Sequence, residues 1–338
     1  MRLPWGSFLD ISQSFLYDKD FVVLGCLSSE DRCCKVPTVC HQELDDHHVK
    51  TYLLQVIDPP NAFPDYSVQT ANKISEIRER LEADYVRYVM LPTLDLKATE
   101  DDLEESLQDF QTKVEELNID TIVFDISAFP KRYFCFLLLR LLESPFPTNL
   151  IVTYTQADSY LREPQHLASD LDPCSNLPGF ADPLVRPDRT IVISIGFEQL
   201  NLAALIDSFA EDVRRTKILL SFPPDGIFSR RQWAVIRHIM GDSNISHMTE
   251  IVPALDVERV CTRLYNWLDE SSGLIFAPFG PKPHTLAFAL CAIQHDFGLY
   301  YTQPKAYHPD YSSGMGPSWA YVVKWDGYPC YFRNVYSV

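Results

Sequence analysis

The chain has 338 residues, enough for one large or two medium domains with a substantial core. Hydrophobic residues at 46% and aromatics at 12% fit a soluble globular protein and not a disordered one. With 29 Lys and Arg against 46 Asp and Glu the formal net charge is −17, which argues against duplex nucleic acid, whose phosphate backbone calls for a basic face. A small phosphorylated ligand stays open, because a few local cations and backbone amides suffice to hold one.

The N-terminal residues 1–14 lack the long apolar core of a signal peptide. Phe21–Cys26 (FVVLGC) predicts a short buried strand. Residues 28–48 read as a polar, irregular surface loop. Within it Cys33, Cys34, Cys40, His41, His47 and His48 are metal-capable but match no zinc-site spacing, so no metal is expected. Thr51–Ile57 is the next strand, stopped by Asp58-Pro59-Pro60. Ala71, Ile74, Ile77 and Leu81 make one face of a helix over Ser67–Ala83, and Val86–Leu91 is a strand. Thr99–Leu117 is an acidic amphipathic helix with Leu103, Leu107, Phe110, Val114 and Leu117 as its stripe, capped by Thr99 with Asp102. Ile119–Ile126 is a strand, followed by a loop holding Pro130-Lys131, an apolar helix, and a strand running into Tyr154-Thr155-Gln156. The densest apolar run, Tyr133–Leu142, is broken by Arg140 and falls short of the ~20 residues needed to span a membrane.

Residues 166–188 are rich in Pro, Asp and Ser and read as a linker between halves at 1–165 and 189–338. The second half repeats the first in outline. Thr190–Ile195, Lys217–Phe222, His247–Val252, Leu274–Ala277 and Leu299–Tyr301 are its parallel strands. Helices are expected at about Leu200–Ala210, Ser229–Met240 and Asp256–Leu268. Trp319–Phe332 alternates as an antiparallel hairpin with Asp326-Gly327 in its turn. Pro59-Pro60 matches Pro223-Pro224, Pro130-Lys131 matches Pro281-Lys282, and Tyr154-Thr155-Gln156 matches Tyr301-Thr302-Gln303, in the same order. The expectation is an α/β protein of two tandem Rossmann-like halves, arisen by internal duplication, with mostly parallel sheets and a C-terminal antiparallel hairpin. Nine scattered cysteines, several inside apolar segments, point to reduced thiols and a cytoplasmic location.

In such folds ligands bind outside the carboxyl ends of the strands. Asp125, Ser127, Lys131 and Arg132 in the first half, and Gly280, Lys282, His284 and Thr285 in the second, stand on loops opening helices whose N-termini favour an anion. Gly280 would let a ligand approach the backbone. Thr155, Gln156, Thr302 and Gln303 end the neighbouring strands, where they could hydrogen-bond a base. Asp125 reads equally as a cap to its own loop, and Pro-Lys as an ordinary helix start. GxSxG, Walker, HExxH and GxGxxG patterns are absent, so no catalytic residue or cofactor is assigned.

DISAFPKRYF and PFGPKPHTLAF resemble the strand–loop–helix of the CARF-type Rossmann-like sensor domains of bacterial immunity proteins, without the Gly-Gly-Thr-Lys form of that loop. The resemblance implies a cyclic oligonucleotide or similar ligand bound across a two-fold axis, which the internal duplication would supply within one chain. It also implies antiviral defence and, since no effector domain is visible, output through a protein partner. The expected function is therefore a sensor binding a nucleotide-like anionic small molecule at the paired loops, with no membrane partner. A phosphoester hydrolase or transferase using the same cleft, and a non-catalytic scaffold in a defence complex, are the alternatives.

Overall fold

In the computed structural model the described residues are 4–44, 49–57, 64–95, 98–160, 168–171, 174–180, 189–196, 202–208, 213–222, 232–234, 236–237, 249–271 and 273–332. The chain forms two compact units, one of residues up to 170 together with 305–330, the other built mainly from 171–304.

The first unit is organised by strands β2 (Phe21–Leu27), β3 (Val49–Ile57), β4 (Tyr88–Met90), the two-residue β5 (Leu94–Asp95), β6 (Thr121–Asp125) and β7 (Asn149–Thr155). All pair in parallel, with β7-β6-β2-β3-β4 as neighbours. β2, β6 and β7 are buried along their whole lengths, which is why they read as unbroken apolar runs instead of alternating ones. Helices α2 (Lys35–Glu43), α3 (Pro64–Ala83), α4 (Glu100–Glu115) and α5 (Lys131–Glu143) connect them. α5 is buried almost all round, from Tyr133 through Leu139, as its uniformly apolar sequence requires. α4 carries the expected capping box, Thr99 and Asp102 each bonding the other's backbone N–H, and Leu103, Leu107, Phe110 and Val114 form its buried stripe. Leu117 lies past the helix end and is 38% exposed, outside that stripe.

Two regions differ from the sequence expectation. Residues 28–48 are not simply a surface loop, since a 3-10 turn at Asp31–Cys34 runs into α2, burying Cys33, Cys34, Val36, Cys40 and His41. Reduced thiols pack as small hydrophobes, so the cysteines that suggested metal chemistry are core residues. Cys40 shares a core with Phe8, Phe21, Val36, Val49 and Val123. His47 and His48 lie outside the described residues. Phe8 comes from helix α1 (Phe8–Phe15), capped by Ser7, which follows the short strand β1 (Trp5–Ser7). The sequence reading did not anticipate either element.

The second difference concerns the C-terminal hairpin, expected with the second half. The strand Ser318–Trp325 pairs antiparallel with β7, and β1 pairs with it in turn. Ala320 to Val323 are fully buried there, and Trp5 lies stacked on Tyr321 at 6.0 Å between ring centroids. The physical reason is edge protection, because without this strand β7 would present an open row of N–H and C=O groups. The hairpin itself forms as expected, with Tyr328–Pro329 returning after Asp326 (φ 49°) and Gly327 (φ 80°), the two positive-φ positions of a tight turn.

In the second unit β8 (Arg189–Ile195), β9 (Val213–Phe222), β10 (Thr249–Pro253) and β11 (Leu274–Pro278) form a parallel sheet in the order β10-β9-β8-β11. It repeats the arrangement of the first sheet. Helices α6 (Leu202–Ser208), α7 (Val257–Asp269, capped by Asp256) and α8 (Lys282–His295) accompany it. The last expected parallel strand is corrected. Leu299 makes one parallel bridge to Phe276, but Tyr300–Tyr301 pair antiparallel with Ser175–Asn176. The helix expected at 229–240 falls largely outside the described residues. Among the described residues no helix is long and apolar enough to cross a membrane.

Asn149, 1% exposed, ties the first sheet to the hairpin turn. Its Nδ2 donates to Thr121 Oγ1 (3.0 Å) and its Oδ1 accepts from Asp326 N (2.9 Å). Asn149→Ala removes both hydrogen bonds, though Thr121 Oγ1 keeps its bond to Asp120 (2.8 Å), and should destabilise the protein by about 2 kcal/mol. Urea unfolding of variant and wild type measures this directly.

Candidate functional site

In the first sheet the chain runs outward from β2 through β3 to β4, then crosses back to place β6 on the other side of β2. Ligands of open α/β sheets bind at such a reversal, outside the carboxyl ends. The loops there are Ser28–Cys34 after β2 and Ile126–Pro130 after β6.

Asp125, 2% exposed, accepts the Ser127 N–H (3.1 Å) and the Ser127 hydroxyl on the same Oδ1. Ser127 Oγ in turn accepts the Thr155 N–H at 2.7 Å, and Thr155 Oγ1 lies 2.8 Å from Ser318 Oγ. Three residues singled out from sequence therefore meet, as a knot that ties the β6 loop to the end of β7. Cys40 is close by, its thiol pushed up chiefly by burial and further by the Asp125 carboxylate. Lys131 is buried at the start of α5, while Arg132 turns away and donates to the Ala98 carbonyl at 3.0 Å. Gln156 Oε1 accepts the Trp319 indole N–H at 3.2 Å.

The sequence reading missed the loop after β2. Arg32 is 3% exposed, its guanidinium paired with Glu30 at 2.6 Å and 5.9 Å from the Tyr154 ring centre. Its Nε is buried and has no hydrogen-bond partner among the described residues. Burial disfavours the charge, but the Glu30 carboxylate, with the hydroxyls of Tyr160, Tyr154 and Tyr311, outweighs it and raises the Arg32 pKa. Tyr154 and Tyr160 hydroxyls are 3.4 Å apart, and burial pushes Tyr154 well up. Tyr160 meets Tyr311 edge-on at 5.8 Å. The result is a buried cation beside the Tyr154 ring at the sheet's point of reversal, with Tyr160 and Tyr311 packed outward from Tyr154 in turn. The available signal was an Arg following two acids directly after the first strand; the neighbouring cysteines drew the reading elsewhere.

Residues 308–317 run across this edge. The Ser312 hydroxyl donates to Glu30 Oε2, and Gly314 N donates to Asp31 Oδ2 at 3.0 Å. Ser312–Ser313 pair with Ser159–Tyr160, and Gly316 N donates to the Gln156 carbonyl at 2.9 Å. On α3, Lys73 donates to the Pro309 carbonyl (2.8 Å) and pairs with Asp310 (2.6 Å). Asp31 is further held by Arg80 at 2.6 Å.

At the corresponding edge of the second sheet the described side chains bond to one another. His284, fully buried, has Nδ1 3.0 Å from Ser194 Oγ and Nε2 3.1 Å from the Pro253 carbonyl, so Nε2 carries the proton and Nδ1 accepts from the serine. The space beside Gly280 belongs to Ser194, where a Cβ would collide, and a Cβ on Gly196 would come 2.6 Å from the Phe279 carbonyl. The close approach that Gly280 permits is thus made by the protein's own strand. Thr285 Oγ1 bonds back to the Pro281 carbonyl at 3.3 Å. Thr302 is fully buried beside Cys174, whose thiol is pushed up to about 11, chiefly by burial. Gln303 Nε2 donates to the Pro304 carbonyl at 3.1 Å, and Lys282 is partly exposed at the start of α8.

No family model matches the chain, and no curated protein does. Among solved structures, a universal stress protein from Archaeoglobus fulgidus DSM 4304 is similar over 86% of this chain and 98% of its own, at 11% identity and a TM-score of 0.24. A protein described as a UDP-N-acetylglucosamine 2-epimerase from Listeria monocytogenes is similar over 76% of this chain and 74% of its own, at 10% identity and a TM-score of 0.26. Likeness at this level bears on neither ligand nor activity.

Burial raises the Asp31 pKa, but the Arg80 hydrogen bond, the Gly314 N–H and the charges of Arg80 and Lys73 outweigh it and hold the carboxyl below the ordinary 3.8. The Lys73 hydrogen bond, the largest influence, likewise lowers Asp310. A depressed folded pKa gives stability that is present above the unfolded value and lost as pH falls through the folded one. The two carboxylates should therefore contribute a constant stabilisation at neutral pH and lose it below about pH 4. Thermal unfolding midpoints across that range check this, with Asp31→Asn expected to show a shallower acid decline than wild type.

Proposed function

We propose that the chain is a ligand-binding regulatory protein whose first unit holds a small anionic, nucleotide-like molecule at Arg32 and passes occupancy to a protein partner. The observation that carries this reading is the buried Arg32 guanidinium at the sheet's reversal point, with one buried N–H unpartnered among the described residues. A guanidinium presents a planar fork suited to phosphate, and the phenol rings of Tyr154, Tyr160 and Tyr311 suit the flat face of a base.

Binding is favoured over turnover by the state of the nucleophile candidates. The Ser127 hydroxyl is donated to Asp125 and its lone pair is taken by Thr155, while Ser194 and His284 are enclosed in the second unit's core. The enclosure of Ser194, His284 and Gly280 by one another favours the first unit over paired loops as the site. The common strand order of the two sheets supports a duplication in which one copy kept a buried cation at its reversal point and the other became packing.

A thermal-shift screen against inorganic phosphate, mononucleotides, dinucleotides and cyclic oligonucleotides tests the reading. One class, at a hundred times its dissociation constant, should add about 2.7 kcal/mol to stability. The shift should vanish in Arg32→Ala and survive in Lys282→Ala. A flat response to the whole panel, or a shift untouched by Arg32→Ala, overturns the assignment.

A further inference from the structure

Resting on that reading of Arg32, we infer that residues 308–317 are an autoinhibitory strap, which holds Glu30 on the Arg32 guanidinium as an internal stand-in for the anion and must lift before a ligand can enter. Glu30 already occupies the position of an acidic ligand, paired with Arg32 at 2.6 Å. Its Oε2, the oxygen that faces Arg32, also accepts the Ser312 hydroxyl. The strap therefore fixes the carboxylate that competes with any incoming phosphate. Tyr311, on the strap, meets Tyr160 edge-on, and Tyr160 in turn lies against Tyr154, whose ring is beside the guanidinium.

The forces that hold the strap differ in kind from those that hold its continuation. From Ala320 to Val323 the following strand is fully buried in the sheet. Among residues 308–317 only Pro309 and Ser312 are buried, and apart from two ring contacts, Tyr66 with His308 and Tyr160 with Tyr311, the attachments are polar: Lys73 to Asp310 and the Pro309 carbonyl, Gly314 N–H to Asp31, Asp158 N–H to the Ser313 carbonyl at 3.1 Å, and Ser159 to Ser313 at 2.7 Å between hydroxyls. Segments held by hydrogen bonds and partly exposed ion pairs, with little apolar burial, open at the low end of a protein's stability range. Gly314 sits at φ 76°, with Asp158 so close that any Cβ would collide, so the fit of the closed strap depends on a position only glycine fills without strain. A closed state that excludes the ligand lowers the apparent affinity by the fraction of time the site is open, and weakening the closure restores it.

Calorimetry with inorganic phosphate and with adenosine monophosphate, on wild type, Lys73→Ala, Ser312→Ala and the double variant, reads this out. Lys73 lies on α3, its hydrogen bonds go to the strap and its charge also acts on Asp31, which anchors the strap, so its loss loosens the strap without removing a member of the Arg32–Glu30 pair. Circular dichroism establishes that each variant is folded, and Lys73→Ala carries the test if Ser312→Ala does not fold. The double variant should bind the responding ligand about five- to tenfold more tightly than wild type. Added ligand should speed amide hydrogen exchange over 308–317 in the wild-type protein. Arg32→Ala in the released background should abolish binding. Equal or weaker binding by the folded variants, with Arg32-dependent binding in wild type, overturns the strap and leaves the anion site standing. Binding by none of the folded proteins overturns both.

Discussion

The central strands of each unit are apolar on both faces, and this constraint places nearly everything else. A strand such as Thr121–Asp125, buried at every position, meets its neighbours chiefly through backbone hydrogen bonds and dispersion contacts, with side-chain hydrogen bonds confined to Thr121 and Asp125 at its two ends. Helices must then cover both faces, and polar side chains are expelled to the strand ends. At the carboxyl edge of the first sheet they do not face water either. Asp125, Ser127 and Thr155 close on one another, since each buried polar group needs a partner to offset its desolvation. What such a knot achieves is rigidity, a fixed platform at the foot of the neighbouring crevice.

Arg32 is the exception that the platform supports. A buried guanidinium costs several kcal/mol unless charges and dipoles surround it. Glu30 and the tyrosine hydroxyls supply that environment here, in a chain whose overall charge of −17 already favours any cation. On the proposed reading the same electrostatics would make the site selective. A neutral molecule displacing Glu30 would strand the positive charge, whereas an anion would replace one counter-charge with another.

The sequence made the scaffold legible and the chemistry only partly so. Strand positions, the Thr99 capping box and the Asp326-Gly327 turn follow from local rules, and all three appear. The Asp125 cap, one of two readings open from sequence, is the one its hydrogen bonds describe. The hairpin's placement depended on which sheet edge lacked a partner, and no local pattern encodes that. The polar sequence around Cys33, Cys34 and Cys40 suggests a surface loop and says nothing of their burial. Arg32 was passed over because a single charge in a polar loop gains meaning only when strand order shows that the loop lies at the reversal.

The return of residues 318–325 to the first sheet has a consequence for how the protein is made. Most of the second unit, residues 171–304, leaves the ribosome after β7 but before the strand that covers its edge. Through that interval the nascent first sheet carries an unpaired border strand that the finished fold buries at every position, the kind of surface that recruits chaperones or pairs with another copy. A nonsense mutation in the second unit would therefore do more than remove that unit. It would leave the first permanently at its stickiest intermediate, so truncated products should be cleared or aggregate instead of persisting as a half-sized binding protein.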